Sequence, residues 1–370
     1  MKANVYFANG HISVLSASVA ASIAEDTYKN ILIIEKPRNL FSDEYFSVNR
    51  IFLALYNWDK VIEIDCDYNF HGLRSPLNYM RSYIGRNSKQ KEIRNQLVDF
   101  DVVNVYATSP SQLWPSMTEC LDDLTVIEHG AAEYNLLHMC QVQEKNTLER
   151  IYRILRYKLM GDPAMNIYVV RNFLLLDGLK SNVTKNFSLD SDLNLMSYDA
   201  SEIIQRYVGE FWALFSDVFN SEYQELLELK EELRKYENVY LYLPTSWVND
   251  AEYQDYLNAQ LQSINIKNTA FVVKAHPSDR GGYDYLKFSG CDVYPIKSKI
   301  QSAIPPEFLL VMLRNPVLLG SYSTSFLYAD WWLNLKTSLS VVESSPVTGA
   351  LIKEYGAVVS DFDVRESLTQ

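Results

Sequence analysis

The chain has 370 residues, 48% hydrophobic and 22% charged, which supplies an ample core and excludes an intrinsically disordered protein. Its formal net charge of −12 argues against nucleic acid as the main partner. No apolar run approaches the ~20 residues needed to span a bilayer, and the length fits two domains.

The N-terminus opens on a strand pattern, Val5-Tyr6-Phe7-Ala8, rather than on a signal peptide. Asn9-Gly10-His11 then turns the chain into a Ser- and Ala-rich helix over 12–24. Buried strands are expected over 30–35, 60–64, 101–106 and 124–128, with a surface helix over 79–96. Strands separated by helical stretches require crossover connections and hence a mostly parallel sheet. The stretch 144–159 reads as an amphipathic helix carrying Arg150, Arg153, Arg156 and Lys158. Its basic side is either a solvated face or a contact for anionic lipid or an acidic glycan.

From about 186 the chain turns polar and then helical through 235, a bridge to a second α/β half. That half offers strands over 238–243, 271–275, 291–296 and 316–320, a helix over 250–262, a helix from Pro305-Pro306 to Leu313, and a last strand over 338–342. The cysteines, Cys66, Cys120, Cys140 and Cys291, show no CxxC or short metal spacing and read as reduced core thiols.

Three short stretches carry polar groups where strands end. Val126-Ile127-Glu128-His129-Gly130 closes a strand on an acid and a histidine, and the glycine permits a sharp turn. Phe271-Val272-Val273-Lys274-Ala275-His276-Pro277 ends a strand at His-Pro, where proline holds the histidine out of the helical region. Leu318-Leu319-Gly320-Ser321-Tyr322-Ser323-Thr324-Ser325 leads from a strand through a hydroxyl-rich turn into a helix start. Strand ends of this kind are where open α/β sheets bind ligands, and a helix start rich in hydroxyls receives anions. Taken singly, Glu128 and His276 read equally well as structural residues, and Ser or Thr at a helix start is ordinary capping. Glycine is scarce, and neither GxGxxG nor GxxxxGK[ST] occurs, which speaks against dinucleotide and P-loop enzymes. Asp65-Cys66-Asp67 has DxD spacing but reads as a surface turn, so no metal site is expected.

Together the three motifs, Glu128-His129-Gly130, His276-Pro277 and Ser323-Thr324 or Thr324-Ser325, resemble those of the bacterial GT-B sialyltransferases, including the polysialyltransferase and lipooligosaccharide sialyltransferase families. His129 stands where those families carry an acid. The resemblance implies a GT-B-like α/β fold: two Rossmann-like parallel-sheet domains facing a central cleft. It divides the chain into an acceptor-side domain over 1–185, a helical bridge over 186–235 and a nucleotide-sugar domain over 236–350. The segment 351–370 is expected to pack back on the N-terminal domain.

The implied activity is an inverting, metal-independent transfer of sialic acid, or a related nonulosonic acid, from a CMP-activated donor. The acceptor would be a bacterial surface glycan such as capsule or lipooligosaccharide, and no cofactor is expected. In this reading Glu128 is the general base, with His129 the alternative. His276 and the hydroxyls of Ser323, Thr324 and Ser325 take the charge gathering on the departing CMP. Lys274, Pro277, Glu307 and Gly320 are candidates for the donor nucleotide, and Asn9, His11 and Gly130 for the sugars. Glu307 either binds ribose hydroxyls or is a first-turn acid favoured by the helix dipole. The expected location is cytoplasmic, with peripheral attachment to the inner face of the membrane through the basic helix 144–159. A CMP-Kdo transferase, a UDP-sugar enzyme of the same fold and a non-catalytic glycan-binding scaffold are the alternatives.

Overall fold

A computed structural model of the chain describes residues 1–24, 27–37, 41–66, 76–108, 124–128, 172–176, 194–243, 268–274, 291–313, 316–320 and 324–335. They fall into two compact units, Met1–Leu40 with Phe52–Ile204, and Phe41–Ile51 with Gln205–Gln370.

The elements of the N-terminal part are β1 (Lys2–Ala8), α1 (His11–Ile23), β2 (Lys29–Pro37), α2 (Asp43–Ala54), β3 (Lys60–Cys66), α3 (Pro76–Gln96), β4 (Asp101–Thr108), β5 (Leu124–Ile127), β6 (Asn172–Leu175) and β7 (Asn194–Ser197). Residues 43–51 of α2 group with the second unit. The strands form one sheet in the order β3-β2-β1-β4-β5-β6-β7, parallel throughout. After their first residue, β1 and β2 are buried without interruption, as a parallel sheet covered on both faces requires. The edge strand β3 alternates buried and exposed positions instead. Helix α1 is buried nearly all round, from Ser13 through Ala21; its serines and alanines allow close approach to the sheet.

Three asparagines at one register level tie the middle of this sheet together. Asn4 on β1 stands opposite Asn30 on β2 and Asn104 on β4. Asn4 Nδ2 donates to Asn30 Oδ1 at 3.1 Å, and Asn104 Nδ2 donates to Asn4 Oδ1 at 2.9 Å. Asn30 Nδ2 in turn donates to the Tyr56 hydroxyl at 2.7 Å. Asn4 and Asn30 are buried and Asn104 half-buried; buried amides are tolerable where such partners satisfy them.

The C-terminal part contains α4 (Ser201–Val218), α5 (Asn220–Glu232), a 3-10 turn (Leu233–Lys235), β8 (Asn238–Leu243), β9 (Thr269–Val273), β10 (Asp292–Pro295), α6 (Lys299–Ala303), α7 (Pro306–Met312), β11 (Val317–Gly320) and α8 (Thr324–Leu333). Its sheet has the order β10-β9-β8-β11 and is also parallel. Asn268 enters β9 with φ 56°, a left-handed conformation that asparagine adopts more readily than most residues. Its carbonyl accepts from Glu237 N at 3.0 Å, which starts β8 beside β9. Tyr242, Phe271, Val273 and Leu319 form a buried cluster on the sheet. Phe211 of α4 meets Phe308 of α7 edge to face at 4.9 Å.

The anticipated strands recur with small differences at their ends, and the two parallel α/β sheets are present as expected. Helices α2 and α6 and strands β6 and β7 add to them. Val48, Ile51, Phe52 and Leu55 follow helical spacing and are buried, so α2 was legible. Strand β7 is mostly exposed, and β6 is a four-residue strand without turn residues around it. The helices expected over 144–159 and 250–262, the strand over 338–342 and the segment 351–370 lie outside the described residues.

Candidate functional site

Both sheets reverse their strand order at one point: between β1 and β4 in the first, between β8 and β11 in the second. The crevice beyond the carboxyl ends of the strands at such a point is the usual ligand site of an open α/β sheet. In the second sheet the chain leaves β11 at Gly320, which pairs with Leu243 at the end of β8, and enters α8 at Thr324. The start of α8, with Thr324 and Ser325, therefore lies at the switch point, and a helix start is a place where anions bind.

Three buried polar side chains gather there. Lys274, immediately after β9, is 3% exposed, Glu307 2% and Ser325 7%. The backbone N–H of Lys274 donates to the Tyr242 carbonyl at 3.0 Å, continuing the pairing of β9 with β8. Its Nζ donates to the Ser302 carbonyl at 2.9 Å. Glu307 lies in the first turn of α7, behind Pro306 at the helix start. The Ser325 hydroxyl and the N–H of Glu307 itself hydrogen-bond its carboxylate. Its Oε2 is buried and has no hydrogen-bond partner. Burial raises the affinity of Glu307 for a proton, against the pull of its own N–H, Ser325 and the Lys274 charge. Burial pushes the Lys274 ammonium down to about 8, against the pull of Glu307. A buried carboxylate oxygen left open in this way is the acceptor that a ligand hydroxyl fits. The Ser325 hydroxyl is thus engaged by Glu307.

In the first sheet, Asn9, Gly10 and His11 follow β1, one side of the switch point. Asn9 Oδ1 accepts from the Ser13 hydroxyl at 2.8 Å. His11 is buried, and its ring stacks on Phe52 at 5.1 Å between centroids. Glu128 stands just past β5 and is fully buried. Its N–H donates to the Leu174 carbonyl at 2.9 Å, and its Oε2 accepts from Leu176 N at 2.8 Å. The carboxylate thus ties the end of β5 to the chain leaving β6, and a base role requires an acceptor hydroxyl to reach it past that packing.

His129, Gly130, His276, Pro277 and Ser323 lie outside the described residues, as do Asp67, Cys120 and Cys140. Thr324 is placed by its backbone alone. Among the described residues no three His, Cys, Asp or Glu gather to hold a metal. The partners that sequence reading did not supply are Ser302, Leu176 and Phe52. Two of them act through backbone groups, for which no side-chain pattern exists.

No family model matches the chain, and no curated protein matches it in sequence. Solved structures do. Phytolacca americana UGT2 complexed with UDP-2fluoro-glucose and pterostilbene is 12% identical over 96% of this chain and 83% of its own, with a TM-score of 0.54. The S. aureus MnaA-UDP structure is 8% identical over 98% and 89%, with a TM-score of 0.52. The GT-B domain of a Photobacterium damselae sialyltransferase is 13% identical over 96% and 97%, with a TM-score of 0.44. At these identities the likeness is one of fold: the chain has a GT-B-like α/β architecture with two Rossmann-like parallel sheets.

Proposed function

We propose that the chain is an inverting glycosyltransferase that moves a nonulosonic acid such as sialic acid from a CMP-activated donor to a glycan acceptor. The observation that carries this reading is the open, buried Glu307 oxygen beside Ser325 and the start of α8, at the switch point of the second sheet. An acceptor for ribose hydroxyls next to helix N–H donors for a phosphate is a site for a nucleoside monophosphate. The order of the Glu128, His276 and Ser323 to Ser325 motifs supports the nonulosonate donor.

The reaction is a direct displacement. Glu128, or His129 in its place, takes the proton of the acceptor hydroxyl. The acceptor oxygen bonds to the anomeric carbon as the bond from that carbon to the phosphate oxygen breaks, and CMP leaves with the electron pair. Charge grows on the phosphate, where His276 and the N–H groups at the start of α8 receive it. One phosphate needs less neutralisation than two, so the reaction has no requirement for a metal. No helix among the described residues is long and apolar enough to cross a membrane. Attachment to the membrane face rests on the basic stretch 144–159.

A UDP-sugar enzyme is the second reading, favoured by the UDP and UDP-sugar present in the two structures with the higher TM-scores. One experiment separates the two. The purified chain is given CMP-sialic acid, CMP-Kdo and UDP-sugars across several acceptor glycans, with and without EDTA, and the released nucleotide is measured. Release of CMP with transfer to a glycan, unchanged by EDTA, is expected; release of UDP alone overturns the donor assignment.

A further inference from the structure

Lys274 stands at the centre of a chain of contacts that ends on the open oxygen of Glu307. Its ammonium donates to the carbonyl of Ser302, in the last turn of α6. The last carbonyls of a helix have no partner within it, and a cation there both binds and neutralises them. Helix α6 has five residues, too few to hold itself together. It is braced by Lys274 at Ser302 and through its own Gln301, whose Nε2 donates to the Glu222 carbonyl at 3.0 Å and to Glu225 Oε2 at 2.9 Å. From Ser302 the chain runs through Pro305 and Pro306, whose rings fix φ, directly to Glu307. Holding Ser302 therefore sets where Glu307 enters α7. On the far side, Ser325 joins Glu307 to the start of α8.

The charge of Lys274 matters as much as its hydrogen bond. A carboxylate removed from water neutralises by taking a proton unless a cation stands near. A protonated carboxyl has one oxygen converted from acceptor to donor, and a ligand hydroxyl that donates to it loses its partner.

We propose that Lys274 is a positioning residue for the nucleotide: it clamps Ser302 and keeps the Glu307 carboxylate an acceptor, and it acts through Glu307 rather than by touching the ligand. This rests on the reading of the second-sheet edge as a nucleotide site.

The test is a double-mutant cycle on the full-length chain, with CMP and UDP as calorimetric probes of binding. Lys274→Met is expected to weaken binding about tenfold or more, the loss of one charge-assisted interaction. Glu307→Ala, which removes the acceptor altogether, is expected to weaken it similarly. The double variant should bind about as well as Glu307→Ala alone, because the substitution at Lys274 then has no acceptor left to act through. Lys274→Arg, which keeps charge and donor, should recover most of the affinity. Should Lys274→Met fail to fold, Lys274→Gln replaces it in the cycle, keeping a donor for the Ser302 carbonyl without the charge. Additive losses in the double variant would overturn the proposal in favour of direct contact between Lys274 and the ligand. Parent-like affinity of the Met or Gln variant overturns it outright. If the parent binds UDP and not CMP, the donor assignment fails while the cycle run with UDP still decides the role of Lys274. If neither nucleotide binds the parent, both readings fall.

Discussion

Glu128 and Leu176 are joined across 48 residues by one hydrogen bond, the Leu176 N–H donating to Glu128 Oε2 at 2.8 Å in a fully buried setting. This bond gives the acid of the first motif a structural duty beside the catalytic one proposed for it, and substitutions can separate the two.

Glu128→Gln keeps an oxygen for the Leu176 N–H and removes the base. It is expected to lower kcat about 10²–10⁴-fold, with the melting temperature little changed. Glu128→Ala also strands a buried N–H and should cost about 1–3 kcal/mol of stability. His129→Asn should be the milder variant, although a histidine's ordinary pKa lies nearer neutrality. Rates and urea midpoints of the three variants provide the check. A dead His129→Asn beside an active Glu128→Gln moves the base to His129.

His276→Ala is expected to fold normally and to lose about 10²–10³ in kcat at saturating donor, the usual effect of removing one donor from a developing anion. Near-parent turnover would remove His276 from the mechanism.

The buried pair in the second unit should leave a mark on stability against pH. Lys274 titrates at about 8 in the folded chain against an ordinary 10.5. Between these values the unfolded chain still holds a proton that the folded one has shed, so this group makes stability rise with pH from about 8 to 10.5. Glu307 is shifted upward from 4.5. Its contribution is present in full below that value and is lost as pH rises through the folded pKa. Urea unfolding from pH 4 to about 10.5 should show the alkaline rise in the parent and not in Lys274→Met. A rise of equal size in both would refute the assignment to Lys274.

Asn4 donates to Asn30 and accepts from Asn104, so its removal breaks one buried and one partly buried bond and leaves Asn30 Oδ1 with the longer bond from the Tyr6 hydroxyl at 3.4 Å. Asn4→Ala should destabilise the chain by about 1–3 kcal/mol. Calorimetry on the variant measures this, and a loss within about 0.5 kcal/mol, the size of an ordinary surface substitution, would mean that water replaces the amide ladder at no cost.

The sequence by itself determined the fold class. Runs such as residues 31–34 and 270–273 are apolar and buried without interruption, as strands covered on both faces of a parallel sheet are. Proline and glycine marked where those strands stop, so the residues at their carboxyl ends could be named from local chemistry alone. Periodicity carries that much because it is a property of neighbouring residues. What a side chain meets across the fold is not. Nothing near Glu307 in the chain tells that Ser325 hydrogen-bonds its carboxylate while its Oε2 has no partner. Nothing near Lys274 points to the Ser302 carbonyl, and the same holds for Glu128 and the backbone of Leu176. These pairings lie between 18 and 48 residues apart in the chain. Strand order decides them, and strand order is set by the packing of whole layers rather than by any local pattern.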